Sequence, residues 1–94
     1  MYAIVIDVKV DLTRDDEARS MVREMIVPRA KTHPGFARGY WLRALQGDVL
    51  RTVQLYDSED EARATASEVT SEGPPPGAPV ALVSVDTYEV IASA

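Results

Sequence analysis

Residues 33–56 read HPGFARGYWLRALQGDVLRTVQLY. The stretch holds four of the six aromatic residues, Phe36, Tyr40, Trp41 and Tyr56, together with the only histidine and the only tryptophan. Two runs within it, 36–44 and 49–56, have the composition of strands, and Leu45 to Asp48, with Gly47, forms a short turn between them. So short a link closes two strands into an antiparallel hairpin. Bulky rings interleaved with Arg38, Arg43, Arg51 and Gln54 make that hairpin either a well-packed sheet or the lining of a pocket.

The flanking segments repeat one pattern. Residues 2–10 form a strand with Ile4, Ile6, Val8 and Val10 on one face and Ala3 and Val5, then Asp7 and Lys9, on the other. Such a strand is buried on both sides for much of its length. Thr13-x-x-Asp16 resembles a capping box, and Asp15, Asp16 and Glu17 suit the positive end of a helix. Ala18, Met21, Val22, Met25 and Ile26 give that helix a core-facing stripe. Pro28 is expected to end or bend it. Ser58-x-x-Glu61 opens a second helix with Ala62, Ala66 and Val69 on one side. Gly73-Pro74-Pro75-Pro76-Gly77 forms a stiff connector, and residues 79–91 form a last strand, apolar on both faces at first.

The order strand, helix, strand, strand, helix, strand predicts an α+β, ferredoxin-like βαββαβ domain covering residues 1–94. Right-handed crossovers give a four-stranded antiparallel sheet of order 4-1-3-2 with both helices on one face. Two helices cover only one side of a sheet whose strands are apolar on two. Exposed apolar surface costs roughly 25 cal/mol per Å². The expected cover is a second copy, sheet against sheet, as a homodimeric barrel.

Composition excludes several functions. The net charge is −5, with +2 on residues 1–47 and −7 on 48–94. This argues against a nucleic-acid partner, which needs a cationic footprint. The chain has no cysteine, so disulfides and thiolate metal sites are excluded and the cytoplasm is the natural compartment. No apolar run approaches a membrane span. One histidine with scattered carboxylates makes no metal cluster, and no glycine-rich loop offers a phosphate cradle.

Pro34-Gly35-Phe36, Gly39-Tyr40-Trp41-Leu42-Arg43 and Tyr56-Asp57-Ser58-Glu59-Asp60-Glu61-Ala62 resemble the dimeric α/β-barrel superfamily, and within it antibiotic biosynthesis monooxygenase (ABM)-like domains. The resemblance implies a small-molecule pocket and members that include cofactor-independent quinone-forming monooxygenases and haem-degrading enzymes. The haem-degrading pattern uses an Asn on the first strand, a Trp, and a His on the second helix. This chain has no Asn, and the helix from about Ser58 to Ser71 has no His. The quinone-forming pattern uses Asn, Trp, Tyr and Arg, of which Trp41, Tyr40 or Tyr56, and Arg43 or Arg51 match by type. Tyr56 stands where a Trp is common.

The candidate ligand-binding residues are therefore Trp41, Arg43, Gln54 and Tyr56. Catalytic candidates are Trp41, Arg43, Tyr56, His33 and Asp7, with no cofactor expected. Trp41 is either a ring against a planar substrate or a large core or dimer-interface residue. Arg43 either stabilises a developing enolate or phenolate or forms an ion pair, for instance with Asp48. Gln54 and Tyr56 either orient a substrate or pack across strands. His33 is a general base or a cation at a helix end. Asp7 is a buried acid of raised pKa or a carboxylate beside Lys9. Val53 and Leu55 suit the helix-packed core, which would turn Gln54 and Tyr56 toward the barrel side. The face taken by Trp41 depends on hairpin register. The functional alternatives are a small domain that binds or oxidises an aromatic or apolar molecule without a cofactor, and a non-catalytic homodimeric binding or assembly domain.

Overall fold

The computed structural model describes all 94 residues, Met1–Ala94. Strand β1 (Tyr2–Val10) leads into a helical run made of a 3-10 turn (Leu12–Arg14), α1 (Asp15–Met21), a wide π turn (Val22–Ile26) and α2 (Val27–Ala30). Strands β2 (Phe36–Arg43) and β3 (Val49–Tyr56) form the hairpin, followed by α3 (Glu59–Glu72) and β4 (Val80–Glu89). The four strands form one sheet in the order β2-β3-β1-β4, with every pair antiparallel. This is the 4-1-3-2 order read from the other edge, in an α+β ferredoxin-like arrangement.

The first helix is capped differently from the capping-box reading. Asp11 is the cap, and its carboxylate accepts from the Thr13 N–H at 3.0 Å and from the Thr13 hydroxyl at 2.6 Å. Pro28 does not end the run. The wide turn immediately before it lets the Val27 N–H bond to the Val22 carbonyl, and one further α turn follows to Ala30. Pro28 lacks an N–H and crowds the carbonyl four residues earlier, so a locally widened turn relieves the conflict. Met25 leaves the stripe and is 59% exposed, while Ala18 and Val22 remain buried. At α3 the Ser58 cap forms as expected, its Oγ accepting from the Glu61 N–H. Ala62 is fully buried and Thr65 joins it, so small side chains let α3 lie close to the sheet.

Two apolar clusters join sheet to helices. Ile4, Ile6, Tyr56 and Ala62 pack under α3, and Val10, Ala18, Val22 and Leu50 pack under α1 and the wide turn. Val8 touches both clusters.

Two register shifts set which side chains face the helices. In β2 the pairing slips between Phe36 and Arg38, leaving Ala37 unpaired. Phe36 thus sits opposite Tyr56, and after the bulge Gly39, Trp41 and Arg43 take the helix side. In β4 a slip opposite Asp7 and Val8 leaves Val83 unpaired, 65% exposed on the strand. A bulge inserts one residue and re-aims everything beyond it.

The expected facing of β3 is inverted. Leu50, Thr52, Gln54 and Tyr56 are buried against the helices, whereas Val53 and Leu55 are half-buried on the other face. Residues directly opposite on paired strands share a face. Gln54 lies opposite Ile4 and Thr52 opposite Ile6. The two isoleucines must reach the helix-side core, and they carry the polar β3 residues inward with them.

Candidate functional site

A cavity of about 410 Å³ lies between the sheet and its helices, where the two apolar clusters meet. Ile6, Val8, Val22, Ile26, Val69 and Leu82 supply apolar wall from four different elements. Gly73, Pro74 and Pro75 of the connector close one side. Into this apolar surface come a few polar side chains, among them His33, Trp41, Thr52, Gln54 and Glu68. An apolar chamber with a few polar groups is the usual form of a small-molecule site.

Trp41 comes to the cavity through the β2 bulge and lies opposite Thr52. Its ring runs back over Gly39: a Cβ built on Gly39 would stand 2.8 Å from the ring. Only a residue without a side chain permits that approach. The indole Nε1 is buried and has no hydrogen-bond partner. Trp41 is therefore on the helix side of the sheet.

Gln54 also lines the cavity and is 4% exposed. Behind it Tyr56, fully buried, donates its phenol O–H to Gln54 Oε1 at 2.8 Å. The bond fixes the amide and leaves the Gln54 NH2 group for another partner. Phe36 meets the Tyr56 ring edge to face, 5.9 Å between centroids. Burial pushes the Tyr56 phenol pKa up, with the Thr65 hydroxyl acting in the opposite direction. Tyr56 does not line the cavity; it supports Gln54 from below.

His33 follows α2 in a turn pinned at both ends. Its N–H donates to the Ala30 carbonyl at 3.1 Å, and its own carbonyl accepts from Phe36 at 3.2 Å. The ring does not serve the helix end that precedes it. Nε2 stands 3.2 Å from Glu68 Oε2 of α3, and Nδ1 is buried without a partner. Arg29 reaches the same carboxylate at 3.4 Å and also pairs with Glu72.

Two more candidates lie away from the cavity. The Arg43 side chain is on the helix side but turns toward the end of the hairpin. Its Nε donates to Asp15 at 3.0 Å and its Nη1 to the Ala44 and Gly47 carbonyls at 2.9 Å each. Asp48 pairs instead with Lys9, at 3.7 Å. Arg43 ties the hairpin turn to the start of α1. Asp7 is on the open face of the sheet, and Arg51 holds both its oxygens at 2.8 and 2.9 Å. Those hydrogen bonds draw the Asp7 pKa down despite some burial, the reverse of the raised value considered from sequence. A bidentate ion pair removes the reason for Asp7 to act as an acid or base.

Glu68, Arg29, Thr52 and the proline connector were not singled out by sequence reasoning. A signal existed for Glu68, which adjoins Val69 on the apolar stripe of α3. Thr52 and Gln54 alternate with Arg51 and Val53, and only the β1 register decides between them.

No protein-family model matches the sequence, and no curated protein sequence does either. The fold is shared with solved structures. A point mutant of MhuD with two manganese protoporphyrin IX molecules bound per active site matches with a TM-score of 0.78 at 16% identity, covering 100% of this chain and 98% of that one. The haem-degrader MhuD from Mycobacterium tuberculosis, with two haems in its active site, matches at 0.73 and 18%, covering 100% and 99%. This chain shares the ferredoxin-like fold of these structures. A monooxygenase of this fold from Streptomyces coelicolor, ActVA-Orf6, in complex with Nanaomycin D, matches at 0.63 and 14%, covering 99% and 89%. At such identities the likeness is one of fold.

Proposed function

We propose that this ABM-fold domain binds a small planar aromatic molecule in the cavity between its sheet and its helices, recognised by Trp41, Gln54 and His33. One observation carries the reading: two ring nitrogens, Trp41 Nε1 and His33 Nδ1, are buried without partners in residues that line an otherwise apolar chamber. Nearly all buried polar groups are paired, and leaving one unpaired costs about 1–3 kcal/mol. Pairing them requires each ring to turn toward the chamber, where a ligand with polar atoms on a flat apolar body supplies what they lack. That similar folds hold manganese protoporphyrin IX or Nanaomycin D supports a ligand chamber here.

The residues present do not suit haem. The only histidine has Nε2 against Glu68 and Nδ1 buried. Arg29 is the only Lys or Arg lining the cavity, and it already pairs with Glu68 and Glu72. Haem propionates would meet two carboxylates and no free cation. Likeness to a monooxygenase supports oxidation of the bound aromatic, for which we take dioxygen as the oxidant and no cofactor. Oxygen uptake with a bound quinol would measure it.

Two copies pairing through the open sheet face complete the proposal. Tyr40, Leu42 and Tyr88 are 49%, 49% and 53% exposed, on strands where Val5, Val53 and Leu55 are only half-buried. No helix is long and apolar enough to cross a membrane, so burial in a bilayer as a helix does not account for this surface.

The decisive experiment is a thermal-shift screen with quinols, flavins and haem. Stabilisation by a flat aromatic class, lost in Trp41→Ala, is expected; a ligand at about 100 times its Kd contributes about 2.7 kcal/mol. No shift with any class, or equal shifts in the variant, would overturn the reading.

A further inference from the structure

We propose that the mouth of this cavity selects its guest by charge. It favours planar aromatics bearing a cationic nitrogen, takes neutral ones less well and rejects carboxylates, with Glu68 and Glu72 as the deciding residues. The inference rests on the cavity being a ligand site and adds the charge class of the ligand.

Met25, Arg29, Glu72, Gly73 and Pro75 line the cavity and are also exposed, which puts its opening between the wide turn and α2 on one side and the end of α3 on the other. Arg29, Glu68 and Glu72 bring ionised groups to the lining. Glu68 and Glu72 are one turn apart on α3, where like charges repel. Both turn to the same Arg29 nitrogen, Nη2, with Glu68 at 3.4 Å. One guanidinium thus answers two carboxylates. With His33 neutral, the lining keeps one negative charge in excess. Arg23, Glu24 and Lys31 are exposed on the helical run opposite, and none of them lines the cavity.

The end of α3 adds to that excess. Its last turn carries Glu72 and no basic residue, although a helix C-terminus is a negative pole that favours cations. The Gly73 N–H donates to the Val69 carbonyl at 2.9 Å. The next three carbonyls, of Thr70, Ser71 and Glu72, stand four residues before Pro74, Pro75 and Pro76. Proline has no N–H to donate, and no backbone group bonds to those three carbonyls. The connector therefore leaves the negative pole uncovered where Glu72, Gly73 and Pro74 meet the cavity. Carboxylates beside such a pole are unfavourable in the protein alone. A cationic guest relieves that conflict and a carboxylate guest deepens it. An ammonium carries only donors, and the carboxylates and carbonyls here are only acceptors. The chamber beyond is apolar, so the ring of the guest lies inside and its charge at the mouth.

Three probes of one outline separate this proposal from the cavity reading: 2-naphthylmethylamine, 2-naphthalenemethanol and 2-naphthoic acid. They are cationic, neutral and anionic at about pH 8, where an imidazole is ordinarily neutral. Affinities are measured by equilibrium dialysis at low salt and again in about 1 M sodium chloride, where the Debye length is about 3 Å. The wild-type protein is expected to bind the amine about fivefold tighter than the alcohol, and the alcohol about fivefold tighter than the acid. High salt is expected to bring the three within about twofold of one another. Glu72→Gln leaves Arg29 balanced by Glu68 alone, and is expected to bring the acid within about twofold of the alcohol. Glu72→Lys is expected to reverse the order. Glu72 is exposed at the last position of α3, so both variants keep the fold, and their affinity for the alcohol is expected to stay within about twofold of wild type. Equal affinities for the three probes in the wild type, the acid bound tightest, a spread untouched by salt, or an unchanged order in Glu72→Lys would overturn the charge selection and leave the cavity reading standing. Failure of all three probes to bind would sink the two together.

Discussion

The Trp41 ring lies so close over Gly39 that a single added methyl would stand 2.8 Å from it. Gly39 therefore sets the position of the indole, and with it one wall of the cavity. Gly39→Ala is expected to displace the ring and destabilise the domain by about 1–3 kcal/mol, the range for overpacking. Because Trp41 is the only tryptophan, its fluorescence maximum reports the displacement directly. An unchanged spectrum and unchanged urea midpoint would contradict this.

Removing one oxygen from the support layer tests how Gln54 is held. Tyr56→Phe keeps the edge contact with Phe36 but leaves Gln54 Oε1, 4% exposed as a residue, without its donor. The expected cost is about 1–3 kcal/mol of stability by denaturant unfolding. Aromatic-ligand affinity is expected to fall as well, since the Gln54 amide is then free to turn. Gln54→Leu in the same background is expected to recover stability and not affinity.

Arg43 and Trp41 stand two residues apart on one strand and should behave as opposites. Arg43→Ala is expected to lower the urea midpoint, because the hydrogen bond to Asp15 and three to carbonyls at the hairpin turn are lost. Its ligand affinity is expected to match the wild type within about twofold, under about 0.4 kcal/mol. Trp41→Ala is expected to lose affinity. A loss of binding in Arg43→Ala at unchanged stability would return Arg43 to the site.

Acid stability carries a definite sign. The Arg43 hydrogen bond, with Arg19 second, holds the Asp15 pKa below its ordinary value; the Arg51 bonds do the same for Asp7. A carboxylate with a depressed folded pKa stabilises the fold above its unfolded value of about 3.9, and the contribution fades as pH falls through the lower folded value. Asp15→Asn and Asp7→Asn are thus expected to be less stable than wild type near neutrality. Urea midpoints taken down to about pH 2 should converge on the wild type. A gap that persists at low pH would point to a cause other than charge.

The open sheet face makes a prediction about assembly. Leu42→Glu on β2 is expected to yield a 10.3 kDa species by sedimentation, with wild type sedimenting as twice that mass. A wild-type monomer at micromolar concentration would refute the pairing.

Element order, hairpin and strand order were legible because turn residues and alternation specify them locally. The facing of β3 was not, for a physical reason. Gln54 and Thr52 look like outward residues beside Val53 and Leu55, and only their partners Ile4 and Ile6 pull them inward. Trp41 depended on one unpaired residue, Ala37, which no composition rule marks as a bulge. Likewise Pro28 carried a clear local signal, and the wide turn from Val22 to Ile26 absorbed it. The His33–Glu68 contact joins a loop to a helix 35 positions later, a distance over which residue patterning carries no information.

Pro74 and Pro75 in the cavity wall have a consequence for selectivity. Neither can donate a hydrogen bond, and each has its φ fixed by the ring. That side of the chamber is a stiff surface offering carbonyls and hydrocarbon alone, between glycines with φ of +61° and +78° at Gly73 and Gly77. A wall with little freedom left to lose adds little ordering cost when a guest arrives, and it cannot remould itself to a guest of the wrong outline. Replacing both prolines with alanine would exchange a narrow preference for a broad and weaker one, which makes this connector the natural place to retune what the chamber admits.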